Sequence, residues 1–145
     1  QSLYLKYMHN LEAGPPPPVS PVEEKKMGDF IILAARQKLL TACHDLSDGG
    51  LMIALAEMAM SGNIGVSLEI EKTESAFWFG EDQARYLVTT NQPEELLREA
   101  ASDNIQADLI GKTKGTEITF QDETAITIEE LSALHEEWFA NYFSN

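Results

Sequence analysis

The sequence has few basic residues and a single cysteine. Ten Lys and Arg residues stand against 24 Asp and Glu residues, so the 145-residue chain has a formal net charge of −14. Nucleic acids and anionic membranes are bound through Lys and Arg, and this composition therefore argues against both as partners. Cys43 is the only cysteine, which excludes an internal disulfide and favours a cytoplasmic location. Because Cys43 lies in an apolar predicted strand, we expect a buried, unreactive thiol.

Several familiar sequence signals are also missing. No positively charged leader and no long apolar run is seen, so we expect neither a secretion signal nor a membrane span. Walker A loops, dinucleotide fingerprints, nucleophile elbows and zinc-ligand spacings are absent as well. A chain of 145 residues can bury roughly 68–70% of its unfolded surface, which predicts one domain over residues 1–145. Since Gln1 leads directly into an apolar pattern, we expect this domain to be part of a longer protein.

Helical and strand patterns are mixed without strict alternation, which predicts an α+β fold. A short helix over residues 1–9 leads into a proline-rich connector that ends at residue 19. Ser20, Pro21 and Glu23 then form a helix start of the capping-box type. The predicted helices cover residues 20–38, 51–60, 71–78, 93–101 and the stretch after 127. The predicted strands cover residues 40–44, 65–70, 84–90, 105–113, 116–121 and 125–127.

Five of these elements carry a specific structural prediction. Residues 105–113 and 116–121 are expected to pair as a hairpin across Lys114 and Gly115. Residues 65–70 alternate, so we expect a half-buried strand with Ser67 and Glu69 facing outwards. The helix over 51–60 is apolar nearly all round and should lie inside the domain.

Thr127 and Glu130 form a second capping box, and the last helix should bury one stripe of side chains, namely Leu131, Leu134, His135, Trp138 and Tyr142.

The most informative segment runs from Thr41 to Leu51, where an apolar strand ends in Asp45, Ser47, Asp48 and the glycine pair Gly49 and Gly50. A helix pattern follows at once, and backbone N–H groups at a helix start attract anions such as phosphate. Two carboxylates would repel a bare phosphate, so a divalent cation such as Mg²⁺ is expected between carboxylate and phosphate. The alternative is purely structural: Ser47 or Asp48 caps the helix, and the glycines allow close packing.

A second polar segment contains Glu81, Asp82, Gln83 and Arg85 in a turn that precedes a predicted strand. Glu81 could bind sugar hydroxyls, and Gln83 offers both a donor and an acceptor. A solvated turn without a ligand is the alternative. His44 and Asp45 are adjacent, and strand alternation is expected to send their side chains to opposite faces, which argues against a catalytic pair.

These segments together resemble one enzyme family. His44 to Leu51 (HDLSDGGL) with the helix that follows, Phe79 to Val88 (FGEDQARYLV) and the opening Gln1 to Leu5 (QSLYL) are similar to phosphoribosylformylglycinamidine synthases. The likeness is to the C-terminal domain in the second half of the synthetase subunit, within the aminoimidazole ribonucleotide synthetase-like superfamily. It implies a mixed sheet flanked by helices, and an enzyme that uses ATP and glutamine-derived ammonia to convert formylglycinamide ribonucleotide to the amidine in purine synthesis.

The resemblance also implies roles for individual residues and partners. Asp45 would bind Mg²⁺, and the residues that would contact nucleotide or substrate are Ser47, Asp48, Gly49, Gly50, Glu81 and Gln83. No catalytic residue is implied, because the site of the second half is expected to hold an auxiliary nucleotide, and the isolated domain should be inactive. The implied partners are the other domains of the same chain, a glutaminase subunit and a small accessory subunit. Two alternatives remain: a domain of another ATP-dependent synthetase or kinase, and a non-catalytic docking module.

Overall fold

A computed structural model describes residues 2–71, 74–120 and 123–143. Residues 72, 73 and 121, which belong to predicted elements, lie outside the described residues. The elements in chain order are α1 (Leu3–His9), α2 (Pro21–Arg36), β1 (Ala42–Asp45), α3 (Gly50–Gly62), β2 (Val66–Leu68), α4 (Ser75–Phe79), β3 (Tyr86–Thr89), α5 (Pro93–Ser102), β4 (Gly111–Thr113), β5 (Glu117–Phe120), β6 (Glu123–Thr127) and α6 (Ile128–Phe143). The mixture of helices and strands confirms the predicted α+β class. None of the described helices is both long and apolar enough to cross a bilayer.

The chain divides into two compact units. The first contains residues Gln1–Ala54 and Thr73–Leu109, and the second contains Leu55–Lys72 and Ile110–Asn145. Most of the helices therefore fall in the first unit, together with strands β1 and β3. The other four strands and α6 fall in the second unit, and α3 contributes residues to both.

Helices α2 and α5 supply most of the core of the first unit. The buried side chains are Phe30, Ala34, Leu39, Leu96, Ala100 and Ile105, with Val88 of β3 packed against them. The predicted start of α2 is confirmed, because the Ser20 hydroxyl accepts a hydrogen bond from the Glu23 N–H at 3.4 Å. The helix ends at Arg36 rather than at residue 38, since Lys38 takes a left-handed φ of 60° that an α-helix cannot contain.

The second unit contains a four-stranded mixed sheet in the order β4-β2-β5-β6. Strand β2 pairs antiparallel with β4 and parallel with β5, and β5 pairs antiparallel with β6. The predicted hairpin is wrong, because β2 lies between its two proposed strands. Lys114 and Gly115 do not close a hairpin turn. The Lys114 N–H donates to the Gly65 carbonyl and the Gly65 N–H donates to the Gly115 carbonyl, both at 2.8 Å. Residues 105–110 are outside any strand, and Gly111 permits the close approach to β2, where an added Cβ would lie 3.0 Å from Leu68 Cα.

The central position of β2 also changes which side chains are covered. Ser67 is buried, with only 9% of its surface exposed, although the alternation of the sequence predicted that it would face outwards. A central strand is covered by neighbours on both edges and can be covered on both faces, and alternation along one strand does not reveal that. The prediction of a half-buried strand is therefore wrong at Ser67 and holds at Glu69, which is exposed.

Two helices expose apolar side chains that were expected to be buried. In α3, Leu51, Ala54, Leu55 and Ala59 are buried, but 44% of the Ile53 surface is exposed. In α6, the predicted stripe is wrong: Leu134, Trp138 and Tyr142 are 61%, 59% and 64% exposed, and His135 is exposed as well. Helical spacing identifies a face that can be buried, whereas burial itself depends on the surface that packs against that face.

The predicted capping box at the start of α6 is confirmed. The Thr127 hydroxyl accepts a hydrogen bond from the Glu130 N–H at 3.1 Å, and the Glu130 carboxylate accepts bonds from the Thr127 hydroxyl at 2.7 Å and from its N–H at 3.1 Å. The side-chain and backbone bonds from Thr127 lower the pKa of Glu130 below its usual value of 4.5. The carboxylate is therefore stabilised in its charged form at the helix start.

We predict that Thr127→Ala lowers the free energy of unfolding by about 1 kcal/mol at neutral pH, the usual effect of losing a helix cap. The folded-state pKa of Glu130 is depressed, so its contribution is present above pH 4.5 and is lost as the pH falls through the folded pKa. The difference between wild type and variant should therefore shrink in acid. Urea unfolding at neutral pH and at a pH below 4.5 measures this difference. Thr116→Ala is the control, because the Thr116 atom that accepts a hydrogen bond from the Ile128 N–H, at 2.9 Å, is its backbone carbonyl oxygen, which the substitution keeps. Equal stability of Thr127→Ala and wild type at neutral pH would contradict the prediction.

Candidate functional site

Pairing of β1 with β3 brings the two polar segments together. The strands run antiparallel, with Ala42 opposite Thr89 and Asp45 opposite Tyr86. The Leu46 N–H continues the ladder by donating to the Arg85 carbonyl at 2.9 Å. Because antiparallel strands place the end of one beside the start of the other, the segment after β1 meets the segment before β3. The structure thus places the Asp45–Gly50 and Gly80–Arg85 segments side by side within the first unit.

A tight glycine turn joins β1 to α3. The Gly50 N–H donates to the Ser47 carbonyl at 3.0 Å, and both glycines are buried with left-handed φ values, 77° for Gly49 and 65° for Gly50. A Cβ on Gly50 would lie 2.7 Å from the Gly80 carbonyl oxygen and 2.8 Å from the Phe79 carbonyl carbon. Glycine is required here by both conformation and space. Helix α3 begins at Gly50, so neither Ser47 nor Asp48 directly precedes it.

The polar side chains of the site differ in their exposure and in their hydrogen bonds to the backbone. Asp45, Ser47, Asp48 and Gln83 are exposed around the turn. Glu81 is half-buried, and its Oε1 atom accepts hydrogen bonds from the backbone N–H groups of Gly49 and Leu3, both at 2.9 Å. The predicted ligand residues therefore lie around one turn, but Glu81 is already engaged with the backbone.

Arg85 has a structural function that the sequence did not indicate. Its guanidinium donates to the Gly80 carbonyl at 3.3 Å and to the Phe77 carbonyl at 3.2 Å, and it lies 3.5 Å from the Asp82 carboxylate. These carbonyls belong to the end of α4 and the residue after it, where a helix leaves carbonyl groups without helical partners. The only feature of the sequence that could have indicated this function is the position of the arginine a few residues after the end of a helix.

His44 and Asp45 are closer than strand alternation predicted. The His44 Nδ1 atom lies 2.6 Å from the Asp45 carbonyl oxygen and 3.8 Å from the carboxylate oxygen Oδ1. The shorter of the two contacts is to a backbone carbonyl, and the imidazole and the carboxylate are 3.8 Å apart although they belong to successive strand residues.

Cys43 is exposed, and the prediction of a buried thiol is wrong. Its β1 neighbours Ala42 and Asp45 are exposed as well, and β1 belongs to a two-stranded sheet with β3. Partial desolvation, and secondly the Asp45 carboxylate, raise the pKa of the Cys43 thiol above its usual 9.0. Desolvation, with smaller effects of Glu24, Asp45 and Cys43, raises the pKa of Tyr86 on the paired strand. Both groups are therefore uncharged at neutral pH.

No ready-made metal cage is present: within residues 2–71, 74–120 and 123–143, no three His, Cys, Asp or Glu side chains are grouped to hold a metal ion. Asp45 can therefore supply one hard oxygen ligand, and the remaining ligands of a Mg²⁺ ion would be phosphate and water oxygens. Mg²⁺ is commonly held in this way, by one or two carboxylates together with substrate phosphates. The exposed carboxylate fits that function.

The site residues do not line the two cavities described. A cavity of about 430 Å³ in the second unit is lined by Ala125, Ile126, Glu130, Ala133, Leu134 and Glu137. One of about 310 Å³ in the first unit is lined by Lys26, Asp29, Phe30, Leu33, Asp103 and Ile105. Since Asp45, Ser47, Asp48 and Gln83 are exposed, a ligand that they contact would bind at the surface.

We predict that Gly50→Ala destabilises the fold much more than Gly115→Ala. Both glycines have a φ of 65°, so any side chain is strained at either position, by roughly 1–2 kcal/mol. Only at Gly50 does the added Cβ meet backbone atoms, since nothing lies within 4 Å of it at Gly115. Overpacking should add about 1–3 kcal/mol at Gly50. Chemical unfolding of both variants measures the difference, and equal losses of stability would show that the approach to Gly80 is not tight.

We also predict slow alkylation of Cys43 at neutral pH despite its exposure. A raised thiol pKa lowers the fraction of reactive thiolate, so the labelling rate should reach its midpoint above pH 9.0. Asp45→Asn removes one of the two causes and should move that midpoint down. Iodoacetamide labelling followed by mass spectrometry from neutral to alkaline pH gives the profile, and fast labelling at pH 7 would contradict it.

Comparison with known proteins gives consistent matches. The family model of the C-terminal domain of AIR synthase related proteins matches residues 1–123. Phosphoribosylformylglycinamidine synthase subunit PurL of Methylocella silvestris is 46% identical over 148 residues, which cover 99% of this chain and 20% of the relative. The subunit of the same name from Azorhizobium caulinodans is 44% identical over 146 residues, covering 97% of this chain and 20% of the relative. The chain thus spans 20% of the length of these relatives.

Solved structures show the same fold. Thermotoga maritima PurL complexed with FGAR has a TM-score of 0.65 at 19% identity, covering 79% of this chain and 21% of that one. The PurLQS structure from Thermotoga maritima has a TM-score of 0.64 at 17% identity, covering 88% of this chain and 24% of that one.

Proposed function

The chain belongs to the family of AIR synthase related proteins, as a C-terminal domain of the kind found in phosphoribosylformylglycinamidine synthase subunit PurL, and we propose that it serves that enzyme. The parent enzyme would convert formylglycinamide ribonucleotide, ATP and glutamine-derived ammonia to formylglycinamidine ribonucleotide, ADP and phosphate. An identity of 46% along 99% of the chain supports this proposal. Thermotoga maritima PurL, which shares the fold, has been crystallised with FGAR and with ATP.

The glycine turn is the proposed nucleotide site of this domain. Its backbone is held tightly at the start of the 13-residue helix α3, while Asp45, Ser47, Asp48 and Gln83 remain exposed around it. Gly49 and Gly50 are buried and shape the turn, so a ligand would contact the exposed side chains around it. Glu81 holds the turn through the Gly49 N–H. Asp45 is the residue that would bind Mg²⁺, whose charge would balance the phosphates. The single observation that carries the proposal is the placement of both polar segments at one end of the β1–β3 pair.

The proposed partners and location follow from the same family membership. The enzyme would act in the cytoplasm with a glutaminase subunit and a small accessory subunit, and the PurLQS structure of Thermotoga maritima supports such an assembly. Since the chain spans 20% of its relatives, we expect it not to turn over substrate on its own. The family resemblance implies that its site holds an auxiliary nucleotide. A domain of another ATP-dependent synthetase or kinase of the superfamily would have the same turn. Measuring which substrate the whole enzyme binds distinguishes that alternative from phosphoribosylformylglycinamidine synthase.

A docking function is the second candidate, and α6 is the observation that favours it. Leu134, Trp138, Tyr142 and Phe143 each expose more than half of their surface, between 59% and 79%. Exposed apolar patches of this kind mark interaction surfaces. A glycine turn that binds no nucleotide, together with such a face, would favour docking over nucleotide binding.

We predict that magnesium ATP binds the chain and that Asp45→Asn weakens this binding roughly tenfold, since a hard anionic ligand is lost. Isothermal titration with magnesium ATP, ADP and AMPPCP measures the affinity. Asp108→Asn is the matched control, because it removes the same charge from an exposed carboxylate elsewhere in the first unit. Identical titrations of wild type and Asp45→Asn, or equal weakening in both variants, would remove the basis for a site at Asp45.

A further inference from the structure

The carboxylate of Glu81 connects two segments that are distant in the sequence. Its Oε1 atom accepts one hydrogen bond from the Leu3 N–H and another from the Gly49 N–H, each at 2.9 Å. Leu3 is the first residue of α1, and Gly49 immediately precedes α3. One oxygen atom therefore holds the start of the first helix and the glycine turn to the same point.

Helix α1 has further contacts with the segment that carries Glu81. The Tyr4 ring stacks on Phe79 with centroids 4.4 Å apart, and the Tyr4 hydroxyl lies 3.5 Å from the Ser75 hydroxyl. Both partners belong to α4, which ends two residues before Glu81. The helix is itself capped by Ser2, whose hydroxyl accepts from the Leu5 N–H at 3.3 Å. Helix α1 is thus docked on α4 by its ring contact and on Glu81 by its first N–H group.

The glycine turn packs against the same segment. Gly50 approaches the Gly80 carbonyl so closely that an added Cβ would be 2.7 Å away, and Arg85 fixes that carbonyl by a hydrogen bond of 3.3 Å. Residues 79–81 consequently contact α1 through Phe79, the turn through Gly80, and both through Glu81. A movement of this short segment would change both neighbours together.

We propose that Glu81 is a positioning residue that couples the docking of α1 to the conformation of the glycine turn, and that it does not contact the ligand directly. Hydrogen bonds to a carboxylate are stronger than those between neutral groups, and a single oxygen that accepts two of them loses orientation when either donor is removed. This inference rests on the proposed function only in assuming that a nucleotide binds at the turn. The coupling itself is a property of the two hydrogen bonds.

Leu3→Pro and Leu3→Ala form a matched pair that isolates one of these bonds. Proline is favoured at the first position of a helix, and Ser2 has the extended backbone, with φ −153° and ψ 159°, that suits the residue before proline. Leu3→Pro therefore deletes the N–H while α1 still forms, and Leu3→Ala deletes the leucine side chain but keeps the N–H.

The readout is amide hydrogen exchange at Gly49, followed by NMR. If Glu81 couples the two segments, exchange at Gly49 should be faster by roughly threefold to tenfold in Leu3→Pro than in Leu3→Ala. Equal exchange at Gly49 in the two variants would overturn the coupling, because the turn would then be independent of the helix.

Glu81→Gln and Glu81→Ala test whether the residue positions the turn or binds the ligand. The glutamine amide oxygen can accept the same two backbone bonds, so Glu81→Gln should keep most of the protection at Leu3 and Gly49, and most of the affinity for magnesium ATP. Glu81→Ala should lose the protection at Leu3 and Gly49 and also the affinity for magnesium ATP. If Glu81→Gln binds magnesium ATP as poorly as Glu81→Ala while keeping its protection, the negative charge contacts the ligand and the positioning function is overturned. If wild type does not bind magnesium ATP, the proposed function fails, and the exchange measurements still decide the coupling.

Discussion

The close approach of Gly50 to Gly80 is the constraint on which the candidate site depends. It is possible because Gly50 has no side chain and a left-handed φ of 65°, and because β1 and β3 pair in the register that places Asp45 opposite Tyr86. Once these two backbone segments are in contact, Glu81 can reach the Gly49 N–H and Arg85 can hold the carbonyls at the end of α4. Glu81, which holds the turn through the Gly49 N–H, comes from the second segment, so this bond forms only when the two segments are side by side.

This dependence explains which parts of the molecule could be predicted from the sequence. The start of α2 at Ser20, helix α5 and the Thr127–Glu130 capping box are local, because their signals and their consequences lie within a few residues. The grouping of Asp45, Ser47, Asp48 and Gln83 around one turn needed the family resemblance as well as the pattern. Their exposure agrees with a ligand site.

Three of the predictions that were wrong concern contacts between distant segments. The hairpin across Lys114 and Gly115 had suitable turn residues, but both residues bond to Gly65, and β2 enters between the two strands. Strand alternation could not show that Ser67 is covered, and helical spacing could not show that Trp138 is 59% exposed. At Ser67 and Trp138 the local pattern was correct, and the error lay in the choice of the partner surface, which a short sequence window does not contain.

Charge balance at the turn decides what kind of ligand it can hold. A carboxylate about 4 Å from a phosphate oxygen repels it by about 4 kcal/mol at an effective dielectric constant of 20. The start of a helix contributes only about 0.3–1 kcal/mol towards binding an anion at an exposed position. With Asp45 and Asp48 both exposed at the turn, and with a net charge of −14 on the whole chain, the helix start alone cannot offset this repulsion. On the proposed function, a phosphate ligand would therefore bind together with a divalent cation, and Asp45 would be a ligand of that cation. The same reasoning explains why Glu81 is better suited to positioning than to binding, because its charge is already used by the two backbone N–H groups that it holds.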